Sequence, residues 1–273
     1  MKSAGVIGLL LVGAAPSSAA AAPVVDPVSV SRFVTLPAGE ARALTLTCPG
    51  TSVALHGAAS SERGSDSIPG SDPQQWTFRF ASDSGGPRRV GGVLRCVGLR
   101  LPAGISDVSI GVGTMRRPDV FVVAGATRRV TLRCNRGTVP TGWGVEGAPS
   151  IEVAGASPTR RGFVFMLENT GSVGASATPR LRCLERRERA GDGRTHTFAT
   201  RVATFEDDGN LVERHSCGRR EYSVSAGVSL DPAGDVVLER ATPRGERRGL
   251  WRFSGSGSAT TSLVCLARGT RFR

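Results

Sequence analysis

The chain reads as an all-β protein built of three tandem small antiparallel β-sandwich units, each stapled by one disulfide. Three observations carry this reading. Apolar residues recur with period two and hardly ever at the i, i+3, i+4, i+7 spacing of a helix, and Val and Thr dominate the phrases in which they recur. The six cysteines, Cys48, Cys96, Cys134, Cys183, Cys217 and Cys265, lie 48, 49 and 48 residues apart within successive pairs, and the first members of the pairs lie 86 and 83 apart. Aromatics make up only 5% of 273 residues, against 36 glycines and 16 prolines. That balance argues for thin layers joined by turns rather than one thick core.

From the amino terminus, Lys2 precedes an apolar run from Val6 to Ala15, the helix-breaking Pro16, two serines and the run Ala19 to Ala22, which offers several A-x-A cleavage sites. This is the layout of a secretory signal peptide over residues 1–22. An apolar run of about ten residues is too short for a hydrocarbon core that needs about 20. No Cys stands near the cleavage region to take a lipid anchor, no later apolar stretch is long enough to span a membrane, and the tail from Arg268 to Arg273 is polar and basic. The mature chain is expected to be secreted, in an oxidising compartment where six cysteines form three disulfides.

The flanks of the cysteines repeat as well. The second Cys of each pair closes a strand-like phrase: Leu94-Arg95-Cys96, Leu181-Arg182-Cys183 and Leu263-Val264-Cys265. Ahead of it stands an alternating aromatic phrase, with Trp76, Phe78 and Phe80 in the first copy, Phe163, Phe165 and Leu167 in the second, and Trp251 and Phe253 in the third. Trp76 and Phe163 precede their Cys by 20 residues and Trp251 by 14, as if the third copy had a shorter loop. The first Cys leads through a turn into a small-residue strand at 53–58, 139–145 and 222–228. The units so defined are repeat 1 over 23–107, repeat 2 over 108–186 and repeat 3 over 195–273. Between the last two, the charged run ERRERAGDGR starting at Glu185 reads as a linker at 187–194, with an exposed hairpin as the alternative.

Strands are expected at 43–48, 53–57, 75–80 and 93–99 in repeat 1, with 108–113 leading out. Repeat 2 offers 120–123, 129–134, 142–146, 150–153, 163–167 and 178–184. Repeat 3 offers 198–205, 211–217, 222–230, 235–240, 250–254 and 261–267. Short strands with turn signals between them are the pattern of a small sandwich. Six cysteines allow 15 connectivities; the even spacing favours pairing inside each unit. Closing a loop of that length is worth roughly 4 kcal/mol in the chain-entropy model, a large share for a domain of this size.

The second unit carries the most complete motif: Cys134-Asn-Arg-Gly137-Thr-Val139, then Gly142-Trp-Gly144, an aromatic strand from Phe163 and finally Cys183. The first unit keeps Cys48-Pro-Gly50 and Gly57, and the third Cys217-Gly218 and Gly227. This resembles a Cys-paired, Gly-rich β-sandwich repeat of secreted proteins of high-GC Gram-positive bacteria. The resemblance implies a non-enzymatic sandwich architecture and supplies no catalytic residue.

The residues themselves call for no catalytic group, no metal and no cofactor. His56, His196 and His215 fall in no H-E-x-x-H or similar frame, and the cysteines are too far apart for a zinc site. Gly255-Ser-Gly-Ser-Ala259 has the wrong last residue for a nucleophile elbow. Glu206-Asp207-Asp208, followed by Gly209 and Asn210, reads as a tight turn rather than a calcium loop. What stands out is arginine: formal net charge is +12 and Lys2 is the only lysine among 35 basic residues. Seven arginine doublets occur, and Arg88-Arg89, Arg160-Arg161 and Arg247-Arg248 are candidate anion-binding pairs, since loop guanidinium groups give bidentate contacts to phosphate, sulfate or carboxylate. Nucleic acid is not an expected partner, because the aromatics that would stack on bases sit in apolar strand phrases. The expectation is an exported, non-catalytic protein with a binding or structural role at or outside the cell envelope, touching an acidic polymer or a partner protein. A spacer array without a ligand is the alternative, and a secreted hydrolase with an unrecognised site a more distant one.

Overall fold

The computed structural model describes residues 24–59, 65–82, 85–101, 109–189, 195–207, 212–230, 237–255, 257–269 and 271–272. The expected signal peptide lies outside them, as do 102–108 at the first unit boundary and the turn tip at 208–210. Every described element is a strand and all pairings are antiparallel. Lobe 1 holds β1 (Val24–Leu36), β2 (Ala41–Thr47), β3 (Val53–Ala59), β4 (Ser65–Pro69), β5 (Gln75–Ala81) and β6 (Arg88–Arg100). Lobe 2 holds β7 (Val112–Arg116), β8 (Val120–Val122), β9 (Thr127–Arg133), β10 (Thr138–Gly147), β11 (Ile151–Thr159), β12 (Gly162–Asn169) and β13 (Ala175–Glu185). After β14 (Arg187–Arg189) and β15 (Thr195–Thr197), lobe 3 holds β16 (Thr200–Asp207), β17 (Val212–Ser216), β18 (Glu221–Leu230), β19 (Val237–Arg244), β20 (Arg248–Ser254) and β21 (Ala259–Ala267), and β22 (Arg271–Phe272) ends the chain.

Each lobe packs one layer of three strands on another, except that in lobe 2 β7 and β8 lie end to end along β13 and together fill one strand's place. The layers are β1-β6-β3 with β2-β5-β4, then β7 and β8 on β13-β10 with β9-β12-β11, then β16-β21-β18 with β17-β20-β19. Alternation drives the packing: β2 and β9 share one burial pattern, with Leu44 and Leu46, or Val130 and Leu132, inward and Thr45, Thr47, Thr131 and Arg133 outward. The disulfides Cys48–Cys96, Cys134–Cys183 and Cys217–Cys265 form inside their expected segments and tie the two layers of each lobe together.

Register shows how closely the lobes correspond. On the strand after the first Cys, each carries a β-bulge at the same place, one residue beyond the partner of the second Cys: Leu55 on β3, Thr141 on β10 and Val224 on β18, all buried. The aromatic phrase of the third lobe is displaced from its sequence alignment. Trp251 pairs with Glu213, four residues before Cys217, as Phe78 pairs with Leu44 and Phe165 with Val130. Gly249 therefore occupies the place of Trp76 and Phe163, and the Trp251 ring covers it so closely that a Cβ there would fall 2.4 Å from the indole.

The lobes do not lie in a row. β4 of lobe 1 joins β10 of lobe 2 through Ser67 and Val145, and β11 of lobe 2 joins β18 of lobe 3 through Ala156 and Val228, so two sheets run across lobe boundaries at equivalent residues. Lobe 3 returns to lobe 1: β19 touches β3, Val24 bridges to Gly269, and Val25 N–H donates to Arg268 O at 2.9 Å. The result is a closed head-to-tail ring, with β3, β10 and β18 in mutual contact at its centre. One apolar cluster spans all three lobes, from Val53, Leu55 and Val97 through Phe163, Phe165 and Leu181 to Tyr222, Val224 and Leu266. Lobe 1 and lobe 3 keep smaller cores of their own. The few aromatics are shared among these clusters: Phe163, Phe165, Phe198 and Tyr222 in the one that spans the lobes, Trp76, Phe78 and Phe80 in that of lobe 1, and Trp251 and Phe253 in that of lobe 3.

Three elements depart from expectation. β1 has no counterpart among the expected strands, because Pro27 and Arg32 interrupt its alternation; it is an edge strand, where proline is tolerated, with Val25 and Leu36 buried at its ends. β4 is polar in sequence and exists because it is hydrogen-bonded on both sides, to β5 and β10. The expected linker 187–194 instead opens as strand: β14 pairs with β15, which in turn pairs with β22. The paired β14 and β15 agree with the hairpin alternative for ERRERAGDGR rather than with a linker.

Candidate functional site

The arginine doublets split between two ends of the fold. Arg161 and Arg247 are equivalent: their carbonyls accept from the N–H of Cys134 and Cys217, at 2.7 and 2.9 Å, just as Gln74 O accepts from Cys48. Arg160-Arg161 therefore forms the β11–β12 tip and Arg247-Arg248 enters β20 from the matching β19–β20 tip. Each tip is tied to the loop after the first Cys, where Arg136 in lobe 2 and Arg219 and Arg220 in lobe 3 are exposed. In lobe 1 the equivalent residue is Gln74, which turns inward and donates through Nε2 to Gly50 O and Ser52 O. Arg88-Arg89 sits apart from these tips, at the start of β6. There, Arg89 covers the Phe33 ring at 5.0 Å, and Arg88 Nε and Nη2 are buried without a partner among the described residues.

Two arginines among the described residues are buried. Arg95 and Arg182, each one residue before its second Cys, are 5% and 1% exposed. Arg182 of lobe 2 donates through Nη2 to the carbonyls of Gly70, Asp72 and Gln75 in lobe 1, at 3.3, 3.4 and 3.1 Å, and lies 5.8 Å from the Trp76 ring centre. Arg95 of lobe 1 donates to Gly245 O of lobe 3, the position equivalent to Asp72, and to Ser29 Oγ at 2.9 Å. Burial lowers both guanidinium pKa values to about 10, with Asp72 and Glu246 acting in the opposite sense, so both stay charged at neutral pH. Each is a clasp from one lobe onto the β-turn of another. The third equivalent position is Val264, an apolar member of the central cluster.

At the centre of the ring His56 is buried, with Nδ1 3.5 Å from Ser225 Oγ. Burial, and secondarily Arg95, lower its pKa to about 3. Ser225 is 0% exposed, so this Ser–His pair is sealed from any substrate and serves as a neutral polar contact between lobes 1 and 3.

Lobe 3 holds one more cluster, and sequence reasoning missed it. Asp207, at the end of β16, is buried rather than turned to solvent; its Oδ1 is 2.7 Å from His215 Nε2 and its Oδ2 accepts from Thr261 Oγ1 at 2.5 Å. The His215 ring stacks on Phe205 at 4.0 Å, with Trp251 on another side at 5.5 Å. Glu213, two residues back on the same face of β17, brings its carboxylate within 4.8 Å of both groups. The signal was available: counted back from the first Cys, Glu213 and His215 stand where the other lobes carry Leu44 and Leu46, or Val130 and Leu132. Asp207, opposite Ala259 six residues before Cys265, stands where β1 has Val34 and β8 has Val120.

No protein-family model matches the chain, and no curated protein is significantly similar to it. The three disulfides themselves indicate an extracellular or otherwise oxidising location. No helix among the described residues is long and apolar enough to cross a membrane.

Proposed function

We propose that this is an exported, non-catalytic binding protein that acts at or outside the cell envelope, and that the arginine tips of lobes 2 and 3 contact an acidic polymer or the acidic face of a partner protein. The observation that carries it is the equivalence of the Arg160-Arg161 and Arg247-Arg248 tips, each backed by a second arginine-bearing loop and anchored at a disulfide. Scattered cationic surface positions would not recur at one structural position. A rigid ring presenting guanidinium groups at fixed spacing loses little entropy on binding an extended anion. The test is salt elution from a heparin column. Neutralising Arg160, Arg161, Arg247 and Arg248 to Gln should move elution to clearly lower salt, and neutralising Arg88 and Arg89 should move it less. Equal shifts for the two sets would leave the tips no special role, and binding too weak to resist low salt would favour a spacer array.

A further inference from the structure

We propose that Asp207, Glu213 and His215 form a binding site for one first-row divalent cation of the zinc class. The inference is independent of the arginine tips. Its first support is donor chemistry: two carboxylates and one imidazole converge with one ligand atom each within 4.8 Å of one another. A set with nitrogen in it suits Zn²⁺ and its neighbours in the series, whereas Ca²⁺ and Mg²⁺ prefer oxygen alone. Bonds of about 2.1 Å place tetrahedral ligand atoms about 3.4 Å apart. Small side-chain rotations reach that arrangement: the His215–Asp207 contact opens slightly from 2.7 Å and Glu213 closes in.

The second support is position. Three polar residues have together replaced three aliphatic ones at matching places in the same sandwich, and the replacements touch. A drift toward polarity at one core position is a defect that selection removes; three convergent ligands make sense as a unit. The surroundings are those of a held site. Thr261 fixes the Asp207 carboxylate through Oδ2 and leaves Oδ1 for the cation, and Phe205 and Trp251 hold the imidazole plane. Glu213 is half-buried and has no hydrogen bond or ion pair among the described residues. Binding through Nε2 uses the His215 tautomer that carries its proton on Nδ1. With three protein ligands, a fourth position stays open to water or to a ligand's own donor group. The cation would link β16 of one layer to β17 of the other, beside the Cys217–Cys265 disulfide.

The mature chain, disulfides intact and stripped with a chelator, is titrated with ZnCl₂ by calorimetry and with Co²⁺ by visible absorption. The expected result is one saturable site per chain and a higher unfolding midpoint in the loaded protein. Glu213→Gln, which breaks no hydrogen bond among the described residues, should weaken binding at least about tenfold, and Thr261→Val about 10–100-fold. His215→Leu restores the residue type of the other lobes, so it should fold and lose the site. Absence of saturable binding by the native chain would overturn the proposal, as would binding that Glu213→Gln and His215→Leu both leave unchanged.

Discussion

Lobes 1 and 2 bury aliphatic residues on their β2 and β9 strands and send an arginine into a neighbour; lobe 3 does the reverse. Its β17 carries Glu213 and His215 inward, and its junction residue is Val264. One topology thus accommodates polar groups either at the junction or in the sandwich, provided each finds partners: backbone carbonyls for Arg95 and Arg182, Asp207 and Thr261 around His215. Junctions have been fixed by charge in two places and by apolar packing in the third. The lobe freed of a clasp is the one that carries the ligand-like cluster.

The junctions can be broken in order. Arg182→Ala removes one of the two donors from each of three turn carbonyls, which keep Thr114 Oγ1, Gln75 N–H and Gly70 N–H, and leaves a cavity where a large buried side chain stood; it should cost about 3–5 kcal/mol in a denaturant titration. Arg95→Ala, with two bonds to lose, should cost about 2–3 kcal/mol. Val264→Ala removes only apolar contact and should cost about 1–2 kcal/mol. If Val264→Ala proves as damaging as Arg182→Ala, the clasps are not what distinguishes these junctions.

Acid should weaken the ring's centre next. His56 titrates near 3 in the fold against an ordinary 6.5, so the stability it contributes is intact above pH 6.5 and is lost as pH falls from there toward 3. Asp66 runs the other way: burial raises it to about 6 from 3.8, so its contribution is full below 3.8 and lost as pH rises to 6. Asp66 offsets much of the His56 loss between pH 6 and 4, so the native chain should show only a shallow decline from pH 7 to 4; Asp66→Asn, which leaves His56 to act alone, should lose about 3 kcal/mol over that range, and His56→Gln should show no decline. A stability profile that is level from pH 7 to 4 in Asp66→Asn would show that His56 is not sealed.

A smaller effect is expected from making lobe 3 resemble its neighbours. Asp207→Val, Glu213→Leu and His215→Leu together should leave metal-free stability unchanged or raise it by about 1–4 kcal/mol, because a buried polar cluster gains little over well-packed apolar residues. A large loss would mean the cluster is needed for folding itself.

Much of this was legible from the cysteines outward. Their spacing located the three lobes' disulfides, and the alternation in 75–80 and 163–167 located strands buried on one face, while the run of small residues in 222–230 located a strand buried on both faces at the ring's centre. β1 and β4 were hidden, since the first is an edge strand with Pro27 and the second owes its structure to neighbours on both sides. The ring was hidden for a physical reason too: its contacts are made by single residues far apart in the chain, such as Ser67 with Val145 and Arg95 with Gly245. Arginine looked like surface charge throughout, and composition cannot separate Arg182, buried under a turn, from Arg160, exposed on one. The metal-like cluster was readable only by aligning copies on the first Cys, where Glu213 and His215 break an aliphatic pattern.

The closed ring is the claim on which the rest depends, and small-angle X-ray scattering of oxidised residues 23–273 tests it most directly. A compact body of this length has a radius of gyration of about 18 Å, whereas three such lobes strung in a row would give about 25 Å. The ring predicts a value near the first, unchanged at high salt; a value near the second would contradict it.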